Sequence, residues 1–197
     1  MHQHICTGWL MRKTYHLLFS ALTAALFLLH AKSRVMWSAP FIGLMFMAAA
    51  LLLADTAFRW QIRGRLVKVF KGAEHRKMSG ITYGVCGVIC AYLVGGANIA
   101  AVSAILLGVT DSTSGLVGVY FGRHSLPFNR YKSVEGTVVG CAAGLAIMSV
   151  WPGGWTLKMF MALTATTVEI LPIPIDDNFM IPVFTAIMAV GYKTIIG

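Results

Sequence analysis

Seven stretches of this chain, 14–30, 37–58, 79–95, 98–120, 134–151, 156–171 and 179–196, are mostly apolar. Each is close to the roughly 20 residues, or about 17 to 25, that a helix needs to cross a bilayer. In hydrocarbon every backbone N–H and C=O must be satisfied within the protein, so runs of this length fold as helices. Composition agrees: 57% of residues are apolar, 12% are charged and the mean hydropathy is +0.74, unlike a soluble domain. The expected fold is all-α, a polytopic membrane helix bundle of about seven transmembrane helices in one domain spanning 1–197. The count falls to six if 156–171, short and running into Pro172 and Pro174, is a half-span.

The 16 Lys and Arg outnumber the 7 Asp and Glu. Such a surplus suits nucleic acid, anionic lipid or a phosphorylated substrate, but in a membrane chain it first marks cytoplasmic loops. The seven-helix scheme places twelve basic residues on one side and four, Lys32, Arg34, Lys158 and Lys193, on the other. This orients the amino terminus and the polar segments described below toward the cytoplasm, with no nucleic-acid partner expected. Basic residues interleaved with apolar ones over 59–77 fit either an interfacial helix or a plain positive-inside loop, with Glu74, His75 and Arg76 in reach of a site. Cys6, Cys86, Cys90 and Cys141 have no metal-ligand spacing and read as small packing residues. The apolar run after Lys13 lacks a clear cleavage site, so the first helix is expected to stay.

Three polar islands interrupt the apolar pattern. Asp111 lies in 98–120, and on a helix Gly115, Gly118 and Gly122 follow it along one face. A helix-packing seam explains the glycines but not the carboxylate, since ionisable groups at membrane depth are costly and usually functional. Thr110, Ser112, Thr113 and Ser114 make the surroundings more polar. The second island brings Arg123, His124, Arg130 and Lys132 together just before Ser133, Glu135 and Gly136. Lys132 and Glu135 alone suit a surface i,i+3 ion pair. A cationic cluster beside carboxylates also matches what phosphate oxygens and a divalent metal require together. The third island, 169–182, carries Glu169 and then, after two prolines, Asp176, Asp177 and Asn178. It reads either as a broken helix turned into a cavity or as an exposed turn in which Asp177 or Asn178 caps the last helix. The chain has no GxxxxGK[ST] phosphate loop, GxGxxG, HExxH or GxSxG pattern.

The ordered set Asp111-x-x-Ser114-x-x-x-Gly118-x-x-x-Gly122, Lys132-Ser133-x-Glu135-Gly136, and Glu169 followed by Asp177-Asn178-x-x-Ile181-Pro182 resembles the CTP-dependent lipid-alcohol kinases. That family includes dolichol, phytol, farnesol and CTP-dependent diacylglycerol kinases. Arg12-Lys13-x-x-His16, with Glu74, Gly80 and Tyr83, is a weaker match, and Ser114 stands where the family commonly has alanine. The resemblance implies transfer of the γ-phosphoryl group of CTP to the hydroxyl of a polyprenol, phytol or diacylglycerol-type lipid, with Mg²⁺ as cofactor. It implies Asp111, Lys132, Glu135 and Glu169 as catalytic residues and Asp111, Asp176 and Asp177 as metal ligands. Nucleotide contacts are expected from Ser114, Gly115, Gly118, Gly122, Arg123, Arg130, Lys132, Ser133, Gly136 and Asn178. Within that set Glu135 either orients Lys132 or binds metal, and Asp111 or Glu169 accepts the alcohol proton. Two other readings stand beside it: nucleotidyl transfer to phosphatidate, and a small cation- or proton-coupled transporter.

Overall fold

A computed structural model describes residues 2–33 and 80–196. Among these are five helices and no strand: α1 (His2–Ser33), α2 (Gly80–Phe121), α3 (Val134–Ser149), α4 (Trp155–Ile170) and α5 (Asp177–Ile195). The predicted span 37–58 and the basic segment 59–77, with Glu74, His75 and Arg76, lie outside the described residues. Two helices, α2 and α5, are long and apolar enough to cross a membrane, and α3 is a shorter apolar helix. Apolar helices of this kind fit membrane association.

Sequence reading expects two helices, 79–95 and 98–120, where the structure has α2. The backbone reconciles them at Gly96, which takes φ 77° and ψ −178° inside the 42-residue run. This region of backbone space is nearly restricted to glycine. In a straight helix Gly84 and Leu107 would lie about 35 Å apart at the usual rise of 1.5 Å per residue. Instead a methyl group at Gly84 would sit 3.4 Å from Leu107 Cδ2. Thus α2 is a hairpin whose arms, 80–95 and 97–121, run antiparallel as the sequence pattern requires.

The second arm is the centre of the molecule. Ile99, Ala100, Ala101, Val102, Ser103, Ala104, Leu106 and Leu107 are all buried, and α2 packs against each of the other four helices. Small residues let the backbones close up, as is usual where helices meet in an apolar medium. A methyl at Gly140 would fall 2.8 Å from Ser114 Cβ, and one at Gly87 would fall 2.6 Å from the Phe179 carbonyl oxygen of α5. Leu106 and Leu107 join Met148 of α3, Met161, Ala162 and Val168 of α4, and Ile181 and Ala186 of α5 in the main core. Cys86, Cys90 and Cys141 are free and partly buried, in keeping with packing roles.

This packing brings Lys13, in the first half of α1, to the loop-side ends of the other helices. Lys13 of α1, Asp111 of α2, Glu169 near the end of α4 and Asp177 at the start of α5 are joined there by hydrogen bonds, with the 122–133 loop. The described basic residues divide accordingly. Lys13, Arg123, Arg130 and Lys132 lie around this end, whereas Lys158 reaches toward the Ser149 carbonyl at the opposite end.

Candidate active site

The chain between α2 and α3 is held in a fixed shape by its own backbone. Val134 N–H donates to the His124 carbonyl at 2.8 Å and Leu126 N–H to the Lys132 carbonyl at 3.0 Å, with a β-bridge between Ser125 and Ser133. Asn129 ties the loop to α4 by donating from Nδ2 to the Ile170 carbonyl at 2.9 Å. Ser133 ends the loop as the N-cap of α3, its Oγ accepting from Gly136 N–H at 3.1 Å. The loop therefore delivers Lys132 beside Glu169, the neighbour of Ile170.

Two charged networks result. In one, Lys13 Nζ donates to both carboxylate oxygens of Asp111, each at 2.6 Å, and to the Asp111 carbonyl at 3.1 Å. Both residues are buried, Lys13 at 9% exposure and Asp111 at 5%. In the other, Lys132 Nζ donates to Glu169 Oε1 at 2.9 Å and to Asp177 Oδ2 at 3.2 Å. Ser114 Oγ donates to the same Glu169 Oε1 at 2.6 Å. Burial by itself would lower the Lys132 pKa, but the Glu169 and Asp177 carboxylates, with Asp111 beyond, outweigh it and hold the ammonium above its ordinary value. Glu169 is 1% exposed and, among the described residues, its second oxygen, Oε2, has no hydrogen-bond partner.

Above these networks opens a polar cleft of about 420 Å³, within the size range of small-molecule sites. Its walls are Lys13, Ser114, Gly115, Gly118, Gly122, Arg123, Arg130, Tyr131, Lys132 and Ser133, with Val119 and Ser125. Four cationic side chains converge on it. The glycine stripe of α2 forms one wall, and part of it also accommodates the loop, since a methyl at Gly118 would approach Ser133 Oγ to 3.1 Å. Of the residues expected to contact nucleotide, Ser114, Gly115, Gly118, Gly122, Arg123, Arg130, Lys132 and Ser133 line the cleft. Gly136 packs behind it against Ser114, and Asn178 lies in the first turn of α5 beside Gly80.

Three expected placements are corrected by the geometry. Glu135 does not meet Lys132. It turns to His124, bonding Nδ1 at 2.6 Å and accepting from the His124 N–H at 3.2 Å, because the β-bridge folds His124 back over the start of α3. Asp176, not Asp177 or Asn178, caps α5, accepting from Asn178 N–H at 3.0 Å and Asn178 Nδ2 at 2.6 Å. Burial, with Asp177 alongside, pushes the Asp176 carboxyl above the usual carboxylate range. Asp111, Asp176 and Asp177 do not come together as a ligand set: among the described residues no three His, Cys, Asp or Glu side chains gather to hold a metal. Asp111 is engaged by Lys13 and Asp176 by the α5 cap, leaving Asp177. The sequence reading gave Lys13 no place in the site; its only signal was a lysine at the edge of an apolar run, in the weaker of the matched blocks.

A carboxylate with an oxygen to spare beside a cationic cleft still suits Mg²⁺, which commonly takes one or two carboxylates and completes its shell with phosphate oxygens and water. Asp177, held by Lys132 through Oδ2 alone, meets that description.

Fold and site together define an apolar helical bundle with a polar cleft lined by cationic side chains at one end. In sequence the chain is similar to proteins named as probable phytol kinases of plant chloroplasts. It is 28% identical to one from Glycine max and to one from Zea mays, and 30% to one from Triticum aestivum, each over 107 aligned positions and 46% of this chain. The aligned part amounts to 37%, 35% and 36% of those relatives, so the chain matches little more than a third of their length. This weak similarity to probable phytol kinases is in keeping with the resemblance read from its motifs. No family model and no solved structure matches it.

Proposed function

We propose that this chain is a membrane lipid-alcohol kinase that transfers the γ-phosphoryl group of a nucleoside triphosphate, CTP by family resemblance, to a long-chain alcohol of the phytol or polyprenol class. The observation that carries the reading is the cleft itself. Arg123, Arg130, Lys132 and Lys13 converge on a space that small-molecule ligands fill, while Glu169 and Asp177 stand behind Lys132.

Phosphoryl transfer asks a protein mainly for positioning and for stabilisation of charge on the moving group. Arg123 and Arg130, exposed on the rim, contact the outer phosphates, and the glycine wall lets phosphate oxygens approach the α2 backbone. Lys132, kept charged by its two carboxylates, faces the γ-phosphoryl group. Asp177 would hold Mg²⁺ together with the triphosphate, and the ion would offset negative charge on the phosphates. Asp111 has both oxygens on Lys13, so its role is to fix that ammonium at the cleft. Glu169, with Oε2 unengaged, accepts the alcohol proton. The bond formed joins the lipid oxygen to γ-phosphorus, the β–γ bridging bond breaks, and a nucleoside diphosphate leaves.

About seven transmembrane helices, with the cleft on the cytoplasmic side, complete the proposal. Its support is the twelve basic residues that alternate loops assign to that side.

The test is to incubate purified protein with Mg²⁺, each labelled nucleoside triphosphate in turn, and a mixture of phytol, polyprenol, diacylglycerol and phosphatidate, then to identify products by mass. A phosphorylated alcohol is expected. A cytidine-diphosphate lipid made from phosphatidate would assign nucleotidyl transfer instead, and no lipid product with any nucleotide would overturn the kinase reading.

A further inference from the structure

Tyr131 is 100% exposed, a costly way to display a large ring unless something covers it. It is not on an untethered segment. Its own N–H donates to Asn129 Oδ1 at 3.3 Å, and the next residue's N–H donates to the Asn129 carbonyl at 3.1 Å. Asn129 in turn holds the end of α4. The backbone beneath the ring is thus fixed from both sides, and the ring itself touches nothing that it would have to leave.

Other exposed aromatic residues surround this loop, but they do not share its position. Phe121 and Phe128 are 70% and 54% exposed and lie outside the cleft wall, whereas Tyr131 is part of it, between Arg130 and Lys132. A flat π-face at the rim, flanked by cations that hold phosphates, is the arrangement by which proteins seat a planar base while its phosphates point inward.

We propose that Tyr131 is the stacking platform of a nucleobase subsite at the mouth of the cleft. The ligand class is then a nucleoside triphosphate rather than an inorganic polyphosphate. This deepens the phosphotransfer reading and rests on it. Stacking is tolerant of base identity, because every base has a π-face, so Tyr131 strengthens cytosine and adenine nucleotides alike. Any preference for CTP must then come from contacts to the base edge.

The experiment measures direct binding of CTP, ATP and inorganic tripolyphosphate to purified wild-type protein, Tyr131→Ala and Tyr131→Trp in lipid nanodiscs, and compares association with vesicles of anionic lipid. Tyr131→Ala is expected to weaken both nucleotides about tenfold, a loss typical of a truncated stacking partner, and to leave tripolyphosphate unchanged. Tyr131→Trp is expected to bind as wild type. Since the side chain is fully exposed and only the Tyr131 backbone makes hydrogen bonds, the variants retain the fold. Nucleotide binding by Tyr131→Ala at wild-type strength overturns the subsite while leaving the kinase reading intact. So does an equal loss for tripolyphosphate, or a loss confined to vesicle association, which would make Tyr131 an interfacial anchor. A wild-type protein that binds none of the three overturns both.

Discussion

Two lysines of this protein stand among carboxylates near the same cleft, and their settings differ in kind. Lys13 and Asp111 form a closed pair in the sense that one ammonium engages both carboxylate oxygens, with both residues buried. Lys132 is shared between Glu169 and Asp177, one cation between two acids, with Glu169 Oε2 left over. A closed pair holds two helices in register. An open one carries excess negative charge and an unused acceptor oxygen, so it is disposed to take up a further cation or a proton. The first is suited to fixing the site and the second to reacting in it.

Breaking the closed pair should give the largest effect on stability. Lys13→Met strands a buried carboxylate and is expected to cost about 3–5 kcal/mol, read from thermal or denaturant unfolding. The double variant Lys13→Met/Asp111→Leu should recover most of it. If the double variant is no more stable than the single one, the pair is not self-contained and the contrast fails. Breaking the open network should act on turnover instead. Lys132→Met is expected to lower kcat about 10²–10³-fold, the scale for loss of one preorganised charge at the reacting group. Full turnover in this variant would place the chemistry elsewhere.

The support beneath both networks is open to a smaller test. Gly140→Ala pushes a methyl against Ser114, whose hydroxyl holds Glu169, and overpacking of this kind costs about 1–3 kcal/mol. Turnover should fall with stability, because Ser114 and Glu169 move together.

Asp176→Asn tests the pH behaviour of the acidic side. Asparagine caps a helix about as well as aspartate. Because the folded-state pKa of Asp176 is raised, the folded protein binds this proton more tightly than the unfolded chain does. Wild-type stability therefore falls as pH climbs from the ordinary carboxylate value, about 4, through the raised one. The variant lacks that loss, so the Tm difference should widen in its favour from acid to neutral pH. A constant difference would show that the carboxylate is not strained by burial and by Asp177. The smallest effect is expected from Glu135→Gln. Its partner His124 is exposed, and exposed ion pairs contribute little, so unfolding and turnover should both be indistinguishable from wild type.

How much of this was legible beforehand depended on the range of the interaction. The helix ends around 95–98 are written as Gly95-Gly96-Ala97-Asn98, and those around 171–177 as two prolines and two aspartates, so local chemistry sufficed there. The cleft wall at Gly115, Gly118 and Gly122 was legible because helical periodicity alone places them on one face. The ion pairs were not. Lys13 and Asp111 are 98 positions apart, and whether they meet depends on how α1 is rotated against α2. Glu135 looked like a neighbour of Lys132 by helical spacing, but Lys132 precedes the cap and points away from the helix that spacing assumes. Tyr131 and Asn129 carried no pattern at all, since their roles come from the fixed shape of the loop.

The reversal at Gly96 also makes α2 a ruler. Its first arm has sixteen residues and its second twenty-five, so the second extends about 13 Å beyond the level of Gly80 at the usual rise per residue. That overhang carries Gly115 and Gly118 and leads into Gly122. The height of the cleft wall is therefore set by counting residues from one glycine, and inserting a single residue between 97 and 110 would turn the whole overhang by about 100°. In the proposed kinase a long-chain alcohol would have to bring its hydroxyl to that height, so the difference between the two arms would decide how far the lipid must rise to react.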